Sequence, residues 1–269
     1  MQIQSEQLAK NIRINALRMV TKARASHIGS ALSIADIVAV LYGGLLNIDP
    51  TFPRHADRDR FILSKGHACV AVYAVLAELG FFQINDLNTY GDDYSPLMNH
   101  ISHKVPGVEF STGSLGHGLP FGVGKALFAK KNNFDWRVFV LLSDGELDEG
   151  SNWEAMMFAA HHNLGNLTAI IDYNKLQSLA GTQETLGLEP LVDKFRAFGA
   201  EVIEVDGHNH NEVVNAFQVS SFNKPKVVIA HTIKGKGVSF MENQILWHYR
   251  SPTEEQLKQA IQEIEDSYA

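Results

Sequence analysis

RVFVLLSDGELDEGSNWEAMMFAAHHNLGNLTAIIDYNKLQ, residues 137–177, alternates apolar runs with polar turns. Residues 138–142 are an unbroken, β-rich apolar run that stops at Ser143-Asp144-Gly145, and 167–171 are a second that stops at Asp172-Tyr173-Asn174. Between them, 154–164 carry alanine and methionine at helical spacing. The pattern predicts a βαβ unit with parallel strands and a right-handed crossover, so both polar turns leave the same edge of the sheet. Open α/β sheets bind ligands outside the carboxyl ends of their strands. Asp144 and Asn174 would there offer a carboxylate and an amide oxygen to one cation, a hard ligand set suited to Mg²⁺, Ca²⁺ or Mn²⁺. Gly145, without a Cβ, lets the backbone approach a phosphate closely. Asp-Gly and Asn-Lys are also ordinary turn dipeptides, so at this point both readings stand.

Outward from that unit, 269 residues with 45% apolar composition suffice for one large α/β domain spanning 1–269. A net charge of −7 without an extended basic run argues against a nucleic-acid surface. The single cysteine, Cys69, excludes an intrachain disulfide and reads as a core residue of a reducing compartment. No apolar run reaches membrane-spanning length, and "MQIQSEQLAK" lacks the apolar core of a signal peptide. These features predict a cytoplasmic protein.

The chain begins with an amphipathic helix over about 5–24, with Leu8, Ile12, Leu17 and Val20 near one face. Ser33 and Asp36 read as a capping box for the next helix, with His27 in the loop before it. A strand at 61–63 leads through a polar turn into a helix over 68–79. His67 follows Gly66 at that strand's carboxyl end, placed either to meet a ligand or to cap the helix. Residues 116–130 read as a helix packed through small residues. "GVGKA" at 122–126 is not a phosphate loop, because Leu119 stands where its first glycine belongs and no Ser or Thr follows Lys125. Strands at 200–205 and 226–231, with a helix over about 211–221 between them, complete a doubly wound, mainly parallel sheet with helices on both faces. "IKGKGVSF" (233–240) reads as a flexible basic loop or a lid, and a last helix runs from near Thr253 towards Tyr268. His161 and His162 on the crossover helix read as structural, and His208 and His210 as turn residues.

Asp144-Gly145 followed after a helix and strand by Asn174 resembles the thiamine diphosphate fingerprint, with Ser143 in place of its first glycine. "STGSLGHG", "DGELDEGSNWEA" and "HNLGNLTAIIDYNK" resemble the N-terminal part of transketolase, and matches extend from Ser26 to His248. The resemblance implies thiamine diphosphate and a divalent ion, Mg²⁺ or else Ca²⁺ or Mn²⁺, held by Asp144, Asn174 and the backbone carbonyl of Leu176. It implies cofactor contacts at His67, Gly113, Leu115, Gly145, Glu149 and His248. It implies catalytic or substrate-binding roles for His27, His67, His100 and His248, with His103 a competitor of His100 and His117 unassigned. Glu149 and Glu154 match interface glutamates of the family, and are otherwise helix-dipole complements. His27 and His100 lack the proline that usually follows these histidines.

Transketolases continue into a pyrimidine-binding domain and a third domain, and the glutamate that protonates the cofactor's pyrimidine lies in the former. The resemblance therefore implies one half of a split enzyme, in an α2β2 assembly with a partner chain that carries those domains. Its reaction would pass a two-carbon glycolaldehyde unit from a ketose to an aldose, free or phosphorylated. Alternatives are a deoxyxylulose-phosphate synthase, the decarboxylating subunit of a 2-oxoacid dehydrogenase, a non-enzymatic cofactor-binding partner, or a transketolase specialised for an unusual sugar.

Overall fold

The two apolar runs at the centre of the chain become neighbouring parallel strands, and the remaining strands assemble around them. The computed structural model describes residues 2–219 and 222–268. In chain order the elements are α1 (Gln2–Ala23), α2 (Ile28–Ser33), α3 (Ala35–Val40), β1 (Arg60–Leu63), α4 (Cys69–Glu78), α5 (Gly118–Lys131), β2 (Val138–Ser143), α6 (Gly150–His161) and β3 (Leu167–Tyr173). There follow α7 (Thr182–Thr185), α8 (Leu191–Ala197), β4 (Glu201–Asp206), α9 (His210–Gln218), β5 (Lys226–His231) and α10 (Glu254–Ser267). The sheet order is β1-β2-β3-β5-β4, and every pairing is parallel.

A parallel sheet covered on both faces needs strands that are apolar on both faces. In β2, Phe139 and Leu141 join one core, with Ile12, Leu17, Ile37, Val72, Phe217 and Ile264. Val138, Val140 and Leu142 point the other way, into a second core with Val123, Met156 and Phe195. The α/β fold with helices on both faces therefore stands as the sequence predicts. So does the close packing of α5: a Cβ on Gly122 would lie 2.5 Å from Val140 Cγ2. Cys69 is a buried core residue. Among the described residues no helix is long and apolar enough to cross a membrane.

Several local expectations are corrected. Ser33 and Asp36 do not cap a helix: Ser33 is the last residue of α2, and Ile34 holds the N-cap position of α3 without a side-chain cap. Asp36 is instead buried against Arg13 at 2.5 Å. His208 Nδ1 donates at 2.7 Å and His210 Nε2 at 3.1 Å to the same carboxylate. His208 lies in the turn after β4, as the sequence predicts, and His210 opens α9, and both reach over α3 to clasp Asp36. Residues 233–240 are not a loose lid. Lys234, Gly235 and Val238 are buried, Gly235 N donates to Gly29 O at 2.9 Å, and Gly235 takes φ +83°. The helix expected over 211–221 is α9, which ends at Gln218; Ser221 lies outside the described residues. The last helix starts as expected, with Thr253 and Gln256 forming a true capping box.

Removing Asp36 leaves the Arg13 guanidinium, only 2% exposed, without its charge partner. Asp36→Ala is expected to lower unfolding free energy by about 3–5 kcal/mol in urea titrations followed by circular dichroism.

Candidate active site

The carboxyl ends of β1, β2, β3 and β5 converge on one edge, and each carries a polar turn there. At the end of β2, Asp144 is 1% exposed. Its Oδ1 accepts from Gly145 N at 2.7 Å and its Oδ2 from Lys175 N at 2.6 Å, which ties the turn after β2 to the turn after β3. Asn174 is buried in the second turn. Its Nδ2 donates to Asp172 Oδ2 at 3.0 Å and its Oδ1 accepts from Leu176 N at 3.1 Å, so both ends of the amide are fixed. The Leu176 carbonyl accepts from Lys234 Nζ at 3.0 Å.

Electrostatics in this corner follow from burial. Asp172 is fully buried and lies 2.5 Å from Lys65 Nζ, also fully buried. Burial alone would raise its pKa, but Lys65 and hydrogen bonds from Thr232 and Ser33 hold it below the usual carboxylate range. Asp144 makes no direct ion pair among the described residues, and the Lys65 charge nearby offsets its burial only in part. Burial, with the Asp172 charge beside it, pushes its carboxyl up to about 7. A cation is the group that would relieve it. The donors present are a carboxylate, a clamped amide and a loop carbonyl, all hard oxygens that fit Mg²⁺ or Ca²⁺. Gly145 forms the floor beside them, where a Cβ would lie 2.9 Å from Gln177 Cγ.

Four histidines gather about 5 Å apart on the neighbouring side. Ring centroids are separated by 4.9 Å for His27 and His248, 5.1 Å for His27 and His67, 5.8 Å for His27 and His100, and 5.7 Å for His67 and His248. His27 occupies the N-cap position of α2 at φ 74°, a left-handed conformation uncommon outside glycine. Its N–H donates to His248 O at 2.8 Å. His67 Nε2 lies 2.9 Å from Ser30 Oγ. Burial first, then the surrounding positive charges and rings, pushes His27 down to about 4 and His248 down to about 3, and lowers His67. Burial also lowers His100. The cluster is therefore a set of neutral imidazoles, each with one donor and one acceptor.

Lys234 joins the two halves. Its Nζ is 3.0 Å from Leu176 O, 2.9 Å from Gln177 O and 3.3 Å from His248 Nδ1. Burial, with Lys65 near, lowers its pKa to about 8. The second link is Lys65, which donates to both Asp172 and Ser30 O.

The loop after α4 completes the wall. Ile101 N donates to Gly66 O at 3.0 Å, and Thr112 Oγ1 to Leu63 O at 2.5 Å. Gly113 faces the His100 ring, 3.4 Å from where its Cβ would be, and Leu115 is half-buried. Glu149 and Glu154 are exposed at the start of α6, with Glu149 against Gly116. His103 bonds Ser111 at 2.6 Å and is not part of the cluster; His117 is exposed. His161 and His162 lie on the far end of α6, where the His162 carbonyl accepts from Lys130.

Sequence reading missed Lys65, Asp172, Lys234 and Glu146. Asp172 was legible as a carboxylate closing an apolar strand, and Lys65 as a lysine between a strand and a Gly-His turn. Lys234 was hidden in a loop whose glycines suggest mobility.

Against this geometry, residues 4–264 match the family model of the transketolase thiamine diphosphate binding domain. The chain is 40% identical over 268 residues to a subunit of the apulose-4-phosphate transketolase of Phocaeicola vulgatus, with 99% of this chain and 94% of that one covered. It is 42% identical to the 6-deoxy-6-sulfo-D-fructose transketolase subunit SqwG of a Clostridium species, covering 98% and 97%. The crystal structure of transketolase from Campylobacter jejuni superposes with a TM-score of 0.92 at 32% identity, over 98% of this chain but 43% of that one. The chain likewise spans 41% of human transketolase.

With both pKa values depressed, His27 and His248 are expected to stay neutral down to about pH 5 in ¹⁵N-histidine NMR spectra. Protonation of either ring near pH 6.5 would contradict the buried, neutral cluster.

Proposed function

This chain belongs to the transketolase family, as its thiamine diphosphate-binding domain, and from that membership we propose that it is the N-terminal subunit of a split transketolase in the cytoplasm. The carrying observation is the juxtaposition of a buried carboxylate without a direct ion pair, Asp144, with a cluster of four histidines across Lys234. In the proposal, Asp144, the Asn174 amide oxygen and the Leu176 carbonyl hold Mg²⁺, with Ca²⁺ or Mn²⁺ able to replace it. Asp172 holds the Asn174 amide so that its oxygen stays available to the ion. Gly145 gives the diphosphate close access to the backbone, and Lys234 adds positive charge beside the same carbonyl.

Bound thiamine diphosphate supplies the electron sink that lets the carbon–carbon bond beside a ketose carbonyl break. The chain's own share is binding and proton handling. His67 and His248 border the diphosphate, while His27 and His100 bind substrate hydroxyls; a neutral imidazole both donates to and accepts from a hydroxyl. Left-handed His27 keeps its ring in the cluster through the bond from its own N–H to His248 O. Backbone at Gly113 and Leu115 meets the pyrimidine side. Glu149 and Glu154, exposed at the start of α6, face a partner.

Residues 1–269 form the single domain on this side of the site, and a second chain brings the pyrimidine-binding domain in an α2β2 assembly. Supporting this are relatives named as subunits that match nearly end to end, set against transketolases of which the chain spans about two fifths. The substrates are a ketose donor and an aldose acceptor. The same two relatives carry the names of transketolases for apulose 4-phosphate and 6-deoxy-6-sulfo-D-fructose, which favours a specialised sugar over the pentose phosphate pathway.

The test combines the chain with the protein encoded beside its gene, thiamine diphosphate and MgCl₂. A panel of ketoses, including xylulose 5-phosphate and apulose 4-phosphate, is offered with aldose acceptors. Glycolaldehyde transfer only with both proteins present is expected. Release of carbon dioxide from pyruvate, or full transfer by this chain alone, would overturn the reading. In the assembled protein Asp144→Ala is expected to weaken Mg²⁺-dependent cofactor binding by at least about a hundredfold without unfolding the chain.

A further inference from the structure

Glu146 is 0% exposed in the turn directly after Asp144, and no role described above uses it. Its carboxylate receives three donors from three different segments. Oε1 accepts from Ser64 Oγ and from Gly116 N, the latter at 2.9 Å. Oε2 accepts from Ser143 N at 3.3 Å. Asn152 Nδ2 donates to the Glu146 carbonyl at 2.7 Å, which pins the turn from α6 as well. A carboxylate buried this completely costs stability that simple packing does not require.

The three segments are those that the functional reading places around the cofactor. Ser64 precedes Lys65 and His67 at the end of β1. Gly116 ends the 113–115 loop, and its φ of +82° leaves its N–H aimed at Glu146. Ser143 precedes the metal-side Asp144. Space for these contacts is built in: a Cβ on Gly116 would lie 2.6 Å from Ser151 Oγ and 2.7 Å from Glu149 Cβ, and one on Gly118 would collide with Ser64. We propose that Glu146 is a positioning residue, a buried hub that sets the metal turn, the 113–118 loop and the histidine-bearing end of β1 in fixed relation. The inference rests on the functional reading above. Its consequence is that the metal end and the pyrimidine end of the cofactor site lose their mutual placement together.

Glu146→Gln keeps the shape but turns one acceptor into a donor, which cannot serve both Gly116 N and Ser143 N. Hydrogen–deuterium exchange on the full chain is then expected to speed up about tenfold or more in residues 113–118 and 143–145 together, with β3 unchanged. In the assembled protein, thiamine diphosphate with MgCl₂ is expected to bind about tenfold more weakly. Ser64→Ala, which removes one donor, is expected to give a smaller effect alone and a less than additive one on the Glu146→Gln background, since both changes act on the same side chain. Unchanged exchange, a change confined to one segment, or an equal rise throughout β3 would overturn the positioning role. So would unaltered cofactor affinity in Glu146→Gln against a wild type that binds. A wild-type assembly that binds no thiamine diphosphate would instead overturn the functional reading, and with it the role of Glu146 towards the cofactor.

Discussion

Two carboxylates share one ammonium at the centre of this molecule. Asp172 and Asp144 close adjacent strands, and Asp144 N even bonds Asp172 O at 3.3 Å, so their side chains are held in one buried corner. Lys65 neutralises Asp172 at 2.5 Å. That leaves Asp144 with a pKa pushed up to about 7. A buried acid without a direct ion pair of its own favours its protonated form, and a cation placed there, as the proposed function has it, would relieve that cost. The surrounding polar contacts follow from that arrangement. The Asn174 amide is clamped at both ends, the Leu176 carbonyl is turned inwards, and Lys234 leans on that carbonyl from the side.

The histidine cluster depends on the same burial. Packing α2 against the β1 turn and the segment around Trp247 brings four rings within about 6 Å, where desolvation keeps them uncharged. Neutral rings suit hydroxyl-rich ligands; a set of imidazoliums beside Lys234 would repel one another. The two lysines give the site its continuity. Lys65 reaches from Asp172 to Ser30, whose hydroxyl meets His67, and Lys234 reaches from Leu176 to His248. The Asp144 corner and the histidine cluster are thus one hydrogen-bonded body.

The fold was largely legible because strands buried on both faces write themselves as apolar runs, and 138–142 and 167–171 are such runs. Elements whose reading failed are those where tertiary contact overrode local chemistry. Ser33 and Asp36 have capping-box spacing, yet Asp36 is claimed by Arg13, 23 residues earlier, and by His208, 172 residues later. The glycines of 233–240 signal mobility locally, but Gly235 exists for a left-handed turn packed against Met241. Within the site, single turn residues such as Asp144 and Asn174 could be picked out from their position after a strand. Lys65 and Asp172 showed only as charged residues at strand ends, and Lys234 and Glu146 not at all, since a charged residue in a sequence carries no sign of whether it is buried or of which charge it meets. The gathering of His27, His67, His100 and His248 is likewise a product of topology, spread over more than 200 positions and brought together by four separate elements.

A cation between Asp144 and Asn174 is the central requirement of the proposed function. Crystals grown with Mn²⁺ and thiamine diphosphate, measured at the manganese absorption edge, locate that ion without reference to activity. The expected anomalous peak lies about 2.2 Å from an Asp144 carboxylate oxygen, from Asn174 Oδ1 and from the Leu176 carbonyl, with Lys234 Nζ moved off that carbonyl. A peak elsewhere, or an Asp144 still bonded only to Gly145 N and Lys175 N beside bound cofactor, would contradict it.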